Sequence, residues 1–228
     1  MEYLLDTVDL EEIKEGLEHL PVAGLTSNPS IVKKTNPADF FAHMRTIREM
    51  LGMERTLHVQ VIARDSKTQL EEAEAIFRNI DKNVYVKVPV TWEGLRTIRI
   101  LKEQGHHVTA TAIYDIMQAY DAAAAGADYL AIYVNRMATM GADPYDLISR
   151  VEERIAMDGY NCKTLGASYH STMQVRDSIN AGAQAVTVPL TYFRATFGNA
   201  NIEKAVNDFE TDWESMYGKG TNLMTVGK

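Results

Sequence analysis

The sequence predicts an α/β protein, a (β/α)8 TIM barrel with an additional C-terminal helix, and three observations predict it. Eight short apolar runs, each followed by a segment of helical period, alternate along 228 residues, a length ordinary for one such barrel. No GxGxxG turn follows a strand, which disfavours the alternative, a doubly wound open sheet. Several runs place their Val, Leu and Ile on one face and polar residues on the other, as expected where one side packs on helices and the other lines a closed interior.

Tyr3 to Asp6 reads as the first strand and Val8 to His19 as its helix, with Asp9, Glu11 and Glu12 at the helix start, where negative charge is favourable. Val22 to Thr26 is the second strand, ended by the turn signal Ser27-Asn28-Pro29-Ser30. Ala38 to Leu51 is helical, since Phe41, Met44, Ile47 and Leu51 recur at three- and four-residue spacing. Thr56 to Ala63 is the third strand and Ser66 to Asn79 a helix. Asn83 to Thr91 is the fourth, followed by Glu93 to Gln104 and a stop at Gly105. His107 to Ile113 is the fifth strand, with Tyr114 to Ala125 after it. Tyr129 to Val134 is the sixth, with Pro144 to Asp158. Lys163 to Ser168 is the seventh, with Thr172 to Ala181. Ala185 to Pro189 is the eighth, followed by a short helical turn over Thr191 to Thr196.

Residues 1–228 therefore read as one barrel domain, and Ala200 to Tyr217 comes after the barrel is complete. Its stripe of Ile202, Val206, Phe209, Trp213 and Met216 must cover a barrel end or bind a neighbouring subunit.

A net charge of -8 without a basic stripe or polybasic run excludes nucleic acid and anionic membranes as main partners. The single cysteine, Cys162, permits no internal disulfide, which fits a reducing cytoplasm. The N-terminal MEYLLDTVDLEE has neither a basic region nor a long apolar core, so neither a signal peptide nor a membrane span is expected. His58, His106 and His107 lack the partner spacing of a metal site, and no metal is expected.

Parity identifies the interior. In the fourth strand Val84, Val86, Val88 and Val90 share one face, leaving Tyr85, Lys87 and Pro89 on the other. The same rule turns His58 and Gln60, Thr109 and Thr111, Tyr133, Gly166 and Ser168, Thr187, and Leu4 with Asp6 inward, with Ala112 and Leu165 outward. Asp6, Gln60, Lys87, Thr111, Tyr133 and Ser168 thus converge near strand C-terminal ends, where barrel active sites form. A lysine enclosed there loses hydration and shifts towards its neutral, nucleophilic form, which Schiff-base chemistry requires.

The segments carrying these residues also resemble a known family. They are LLDT (Leu4 to Thr7), GLTSNPSI (Gly24 to Ile31), VQV (Val59 to Val61), VKVPVT (Val86 to Thr91), TAIY (Thr111 to Tyr114), YVNR (Tyr133 to Arg136) and AS (Ala167 to Ser168). In order and spacing they resemble the small transaldolase family, in its fructose-6-phosphate aldolase branch, over almost the whole chain.

The resemblance implies a class I aldolase that works without a cofactor on a sugar or sugar phosphate. Lys87 would form the Schiff base with a dihydroxyacetone unit, and Asp6 would handle the proton of the hydroxyl where the carbon bond breaks. Thr26 and Asn28 would hold donor hydroxyls. Gln60, Thr111 and Tyr133 would hold a catalytic water. Arg136 and Ser168 would receive an acceptor phosphate, with His170 where a lysine or arginine usually stands.

Related transaldolases carry glutamate at Gln60 and phenylalanine at Tyr133, so this chain makes the aldolase's choice at both. His58 and Thr109 depart from both branches. The family further implies homo-oligomers of five, alone or stacked in pairs. Transfer of a dihydroxyacetone unit between sugars, and a non-catalytic binding barrel, are the alternatives.

Overall fold

The computed structural model describes residues 1–227. One compact unit spans Met1–Leu190 and a second begins at Thr191. The first contains β1 (Glu2–Asp6), α1 (Leu10–His19), β2 (Val22–Thr26), α2 (Pro29–Thr35), α3 (Phe40–Leu51), β3 (Thr56–Gln60), α4 (Ser66–Asn79), β4 (Tyr85–Pro89) and α5 (Trp92–Glu103). It continues through β5 (Val108–Ile113), α6 (Ile116–Ala124), β6 (Tyr129–Tyr133), α7 (Val134–Thr139), α8 (Pro144–Asp158), β7 (Lys163–Ala167), α9 (Thr172–Asn180) and β8 (Ala185–Val188). All strands pair in parallel in chain order, and β8 closes on β1, so the fold is the expected (β/α)8 barrel.

Local chemistry sets the joints. Asp9, Asp39, Asp65, Thr91, Asp115, Asp143 and Ser171 each accept a backbone N–H of the helix that follows, satisfying donors that would otherwise be orphaned. At Gly94 a side chain could not exist, because a Cβ there would lie 1.9 Å from the Pro89 carbonyl oxygen. That close approach folds α5 back tightly onto the end of β4.

Register places the interior side chains in layers. A shear of about eight residues over eight strands means that each step between paired residues descends one residue towards the N-terminal rim. The path Gln60, Lys87, Thr109, Tyr129, Lys163 is such a descent. Alternate strands then supply each layer. Asp6, Gln60, Thr111 and Ala167 form the uppermost; Thr26, Lys87, Ala131 and Thr187 the next; Leu4, His58, Thr109 and Leu165 the third; Gly24, Tyr85, Tyr129 and Ala185 the fourth. Leu4, Tyr129, Ala131, Leu165, Ala185 and Tyr85 pack together accordingly.

The structure corrects several expectations. The Asn28-Pro29 signal begins a helix, α2, rather than a free turn: Asn28 accepts from the N–H groups of Ser30 and Ile31, and Pro29 takes the first helical position, where it needs no donor. A further short helix, α7, follows β6, and the turn expected over Thr191 to Thr196 is the helix α10 (Leu190–Phe197).

In β7 the parity is opposite to that expected. Leu165 lies in the barrel core, while a Cβ on Gly166 would meet Tyr169 and Ser178 of the helix layer, so Gly166 faces out. Its neighbours Leu165 and Ala167 are both apolar, which made the inward and outward faces of this strand indistinguishable from sequence.

In β5 the register shifts between Ala110 and Ile113, and Ala112 takes φ 58°, so Ile113 rather than Ala112 resumes the outward face.

In the second unit α11 (Ala200–Tyr217) has the predicted bounds, and Asn199 caps it. None of its side chains is buried in this unit, and Ile202, Val206, Phe209 and Met216 are exposed.

Candidate active site

Lys87 sits at the centre of β4 with only 3 % of its surface exposed. No hydrogen bond or ion pair joins its amine to another described residue. Burial lowers the pKa of Lys87, and the negative charge of Asp6 opposes that shift. In the layer above, burial raises the pKa of Asp6, against the opposing influence of Lys87, the Thr26 hydrogen bond and Lys34. Both directions favour the neutral pair, with the proton on the carboxyl and the lone pair on the amine. A nucleophilic amine beside an acid is the arrangement that carbinolamine formation needs.

Asp6 is oriented by a chain of hydroxyls: Thr26 Oγ1 donates to Asp6 Oδ1 at 2.8 Å, and Thr26 and Thr187 share a 2.6 Å hydrogen bond. Because the Thr26 proton goes to Asp6, Thr187 must donate to Thr26. Asn28, which follows β2, commits its Oδ1 to the cap of α2 and so leaves its amide N–H groups as donors for the barrel mouth.

Gln60 is Lys87's register partner on β3, and its Oε1 is buried with no hydrogen-bond partner among the described residues. Such an orphaned acceptor costs about 1–3 kcal/mol and marks a place where a water or ligand donor belongs. On β5, Thr111 Oγ1 lies 3.3 Å from Tyr133 Oη, a long contact with room to tighten. Burial raises the Tyr133 pKa, with Thr111 and Arg136 opposing, so the phenol stays protonated and can act as a donor.

At the rim, the Arg136 guanidinium stands 5.0 Å from the Tyr133 ring centroid and donates to Tyr114 Oη at 3.1 Å. The loop after β7 is tied to this corner. Asn135 N–H donates to the Ser168 carbonyl, and Gln174 bridges the loop to α7, taking the His170 N–H at 2.7 Å and donating to Asn135 Oδ1 at 2.9 Å. Ser168 has φ 61°, a left-handed conformation unusual for serine. The His170 side chain is exposed.

Of the residues singled out from sequence, Asp6, Thr26, Gln60, Lys87, Thr111 and Tyr133 lie in or just above the two upper interior layers, with Asn28, Arg136, Ser168 and His170 on loops and helices beyond the strand ends. A cavity of about 550 Å³, lined mainly by apolar residues including Val32, Phe40, Phe41 and Ile76, borders this group through Asn28 and Gln60. Lys87 is not on its wall, so this cavity adjoins the lysine's layer rather than containing it.

Sequence reasoning missed Lys34, whose charge acts on Asp6. The Asn-Pro pair at the start of α2 was the signal that could have placed it on a helix at the mouth. The partnership of Tyr114 with Arg136 was also missed, and only the adjacency of the β5 and β6 strand ends hints at it.

The structure is thus a closed parallel barrel with, among the described residues, a buried and unpaired lysine one layer beneath a carboxyl. The model of the Transaldolase/Fructose-6-phosphate aldolase family matches residues 3–226, and the chain belongs to that family. It is similar to a protein of Streptococcus pneumoniae described as a probable fructose-6-phosphate aldolase, with 43 % identity over 213 residues, covering 93 % of this chain and 96 % of that protein.

Proposed function

We propose that this protein is a class I aldolase that cleaves or forms fructose 6-phosphate, or a related ketose, from dihydroxyacetone and an aldehyde such as glyceraldehyde 3-phosphate. The observation that carries the reading is the buried Lys87 amine, free of partners, one layer below Asp6.

Lys87 Nζ attacks the ketose carbonyl carbon, and with the proton that Asp6 gives up the carbonyl oxygen leaves as water, producing a protonated imine and the Asp6 carboxylate. The hydroxyl on the carbon beyond the breaking bond then gives its proton to Asp6, the aldehyde departs, and the bonding pair flows into the iminium as an enamine. Protonation of the enamine and attack by water return the amine and release dihydroxyacetone. The orphaned Gln60 Oε1, with Thr111 and Tyr133, suits the water that serves this last stage. Thr26 and Asn28 offer polar groups to the donor hydroxyls. Arg136 and Ser168, with His170 beyond them, offer a planar cation, a hydroxyl and an imidazole to an acceptor phosphate. The imine itself is the electron sink, so the sequence of steps calls for no metal or cofactor.

Incubation with dihydroxyacetone and borohydride, followed by peptide mapping, tests the reading. A reduced adduct on Lys87 is expected, and an unmodified Lys87 in an active preparation would refute it.

We further infer that the protein works as a homo-oligomer, of five or ten subunits, in the cytoplasm. The exposed stripe of Ile202, Val206, Phe209 and Met216 supports a subunit contact, and the charge of -8 supports a small-molecule rather than a nucleic-acid or membrane partner. Among the described residues no helix is long and apolar enough to cross a membrane. Sedimentation as a stable monomer would reject the oligomer, and truncation before Asn199 should weaken it.

A further inference from the structure

His58 is an unusual occupant of a barrel layer. It is fully buried, 0 % exposed, in the layer directly beneath Lys87, alongside Leu4, Leu165 and Thr109. Its two ring nitrogens are both engaged, Nδ1 with Thr109 Oγ1 at 2.7 Å and Nε2 with Thr56 Oγ1 at 2.9 Å. Tyr85 stacks on the ring at 4.8 Å between centroids, and Tyr129 meets it edge-on at 5.0 Å. Burial, reinforced by the charge of Lys87, holds the imidazole neutral, so it serves as one donor and one acceptor.

The important partner is Thr109. It is Lys87's register neighbour on β5, and in the layer above it stand only Lys87 on one adjacent strand and Ala131 on the other. A threonine hydroxyl here has two polar directions, sideways to His58 or upwards to the lysine amine. The structure shows it committed sideways. Lys87 therefore has neighbours of opposite kinds: Gln60, whose Oε1 is unengaged, and Thr109, whose hydroxyl is occupied.

We propose that His58 is a positioning residue for the reaction: by holding the Thr109 hydroxyl within its own layer, it keeps the Lys87 amine free of a hydrogen bond from β5. This rests on the reading of Lys87 as the nucleophile. Without the imidazole, the buried Thr109 hydroxyl would need another partner, and Lys87 holds the paired register position on the adjacent strand. A hydroxyl accepting from the ammonium favours the charged form, which is not nucleophilic.

The other titratable or charged groups around Lys87 are Asp6 on β1, Tyr85 on its own strand, and Tyr129 and Tyr133 on β6. Lys34 acts on Asp6, while Arg48 and His107 act on His58. β2, β5 and β8 present threonines, and β7 presents Leu165 and Ala167.

The test is the acid limb of kcat/KM, and of the borohydride-trapping rate with dihydroxyacetone, across pH. His58→Leu should move this limb up by about one pH unit, the size expected for one hydrogen bond to a charged group. That is a loss of about tenfold below the limb. The double variant His58→Leu/Thr109→Val, with no hydroxyl left to turn, should return the limb to the parent position. His58→Asn, which keeps a polar atom near Nδ1, should not move it. Should His58→Leu fail to fold, His58→Phe preserves the stacking on Tyr85 and carries the same expectation.

A limb that stays in place in the aliphatic or aromatic variant, or stays displaced in the double variant, overturns the proposal. The parent enzyme's adduct keeps the two readings separate. An adduct on Lys87 with an unmoved limb removes only the role of His58, whereas no adduct removes the Schiff-base reading.

Discussion

The two ends of the barrel interior are both polar, yet they are built on opposite terms. At the N-terminal end Glu2 accepts from Lys163 Nζ at 2.5 Å and from Tyr129 Oη at 2.7 Å, while Lys163 also approaches the face of the Tyr129 ring. At the C-terminal end, among the described residues, Lys87 has no ion pair, Gln60 Oε1 accepts from no donor, and Thr111 and Tyr133 stand at a loose 3.3 Å. A buried charge or polar group left unsatisfied costs stability, so such groups persist where substrate supplies the missing contact. The closed network stabilises the fold, and the open one is where the proposed reaction would run.

The sharpest way to break this contrast is to remove the amine. Lys87→Met keeps the apolar stem and should lower kcat/KM by about 10³-fold or more, since no other group can form the imine. The same change should raise Tm, on the order of 2–4 °C for each kcal/mol of buried-charge cost removed. Assays of ketose cleavage and a thermal melt check both. An active variant, or a melting point well below the parent's, would place Lys87 with the structural set instead.

A smaller effect separates the two chemistries open to this interior. Gln60→Glu supplies a carboxylate beside Lys87, and Tyr133→Phe removes a donor, so each should shift the balance from release of dihydroxyacetone towards its transfer, by about tenfold. The ratio of transfer to erythrose 4-phosphate over free dihydroxyacetone measures it. An unchanged ratio in both variants would count against the assigned roles.

At the closed end the expectation reverses. Glu2→Gln weakens one hydrogen bond to the partly exposed Lys163 and one to the buried Tyr129, so it should cost about 1 kcal/mol of stability while leaving kcat/KM within about twofold. Denaturant unfolding together with the cleavage assay checks it, and a large loss of activity without loss of stability would dissolve the distinction between the ends.

Much of this contrast was legible in the sequence, for definable reasons. The period of two in β4 is unambiguous because valine occupies every outward position, so Lys87 falls on the opposite face, and the polar residues converging from five other strands mark that face as the interior. In β7 the alternating residues are Leu165, Gly166 and Ala167, none polar, and parity had nothing to work on; register and the contact of Gly166 with the helix layer decided it. The bulge at Ala112 was invisible because a left-handed alanine has no sequence signature. α2 was legible in principle, since Asn28 and Pro29 are a helix-start pair, but the same letters also spell a turn. The layers themselves were not readable, because shear is a property of the closed sheet: only closure shows that His58 and Thr109 share a layer.

The smallest effect expected is a drift of stability with pH, and it sharpens the claim that Lys87 is held against its preference. Burial lowers its folded pKa below the 10.5 of the unfolded chain. Between those two values the unfolded state binds more protons than the folded one, so the lysine's contribution to stability rises with pH across that window. The contribution is fully present above 10.5 and is lost as pH falls through the folded pKa. Asp6 acts in the opposite sense: burial raises its pKa above 3.8, so its contribution is full below 3.8 and is lost as pH rises through its folded value. Lys87→Met removes the first dependence and, by removing a cation near Asp6, raises the Asp6 pKa further. The melting advantage of Lys87→Met over the parent should therefore be greatest near neutrality and shrink as pH approaches 10.5, by a degree or two at most for a chain of this size. Parallel melting curves of the two proteins from pH 7 to 10.5 measure that difference directly, and a constant gap would mean that Lys87 carries no burial penalty in the folded barrel.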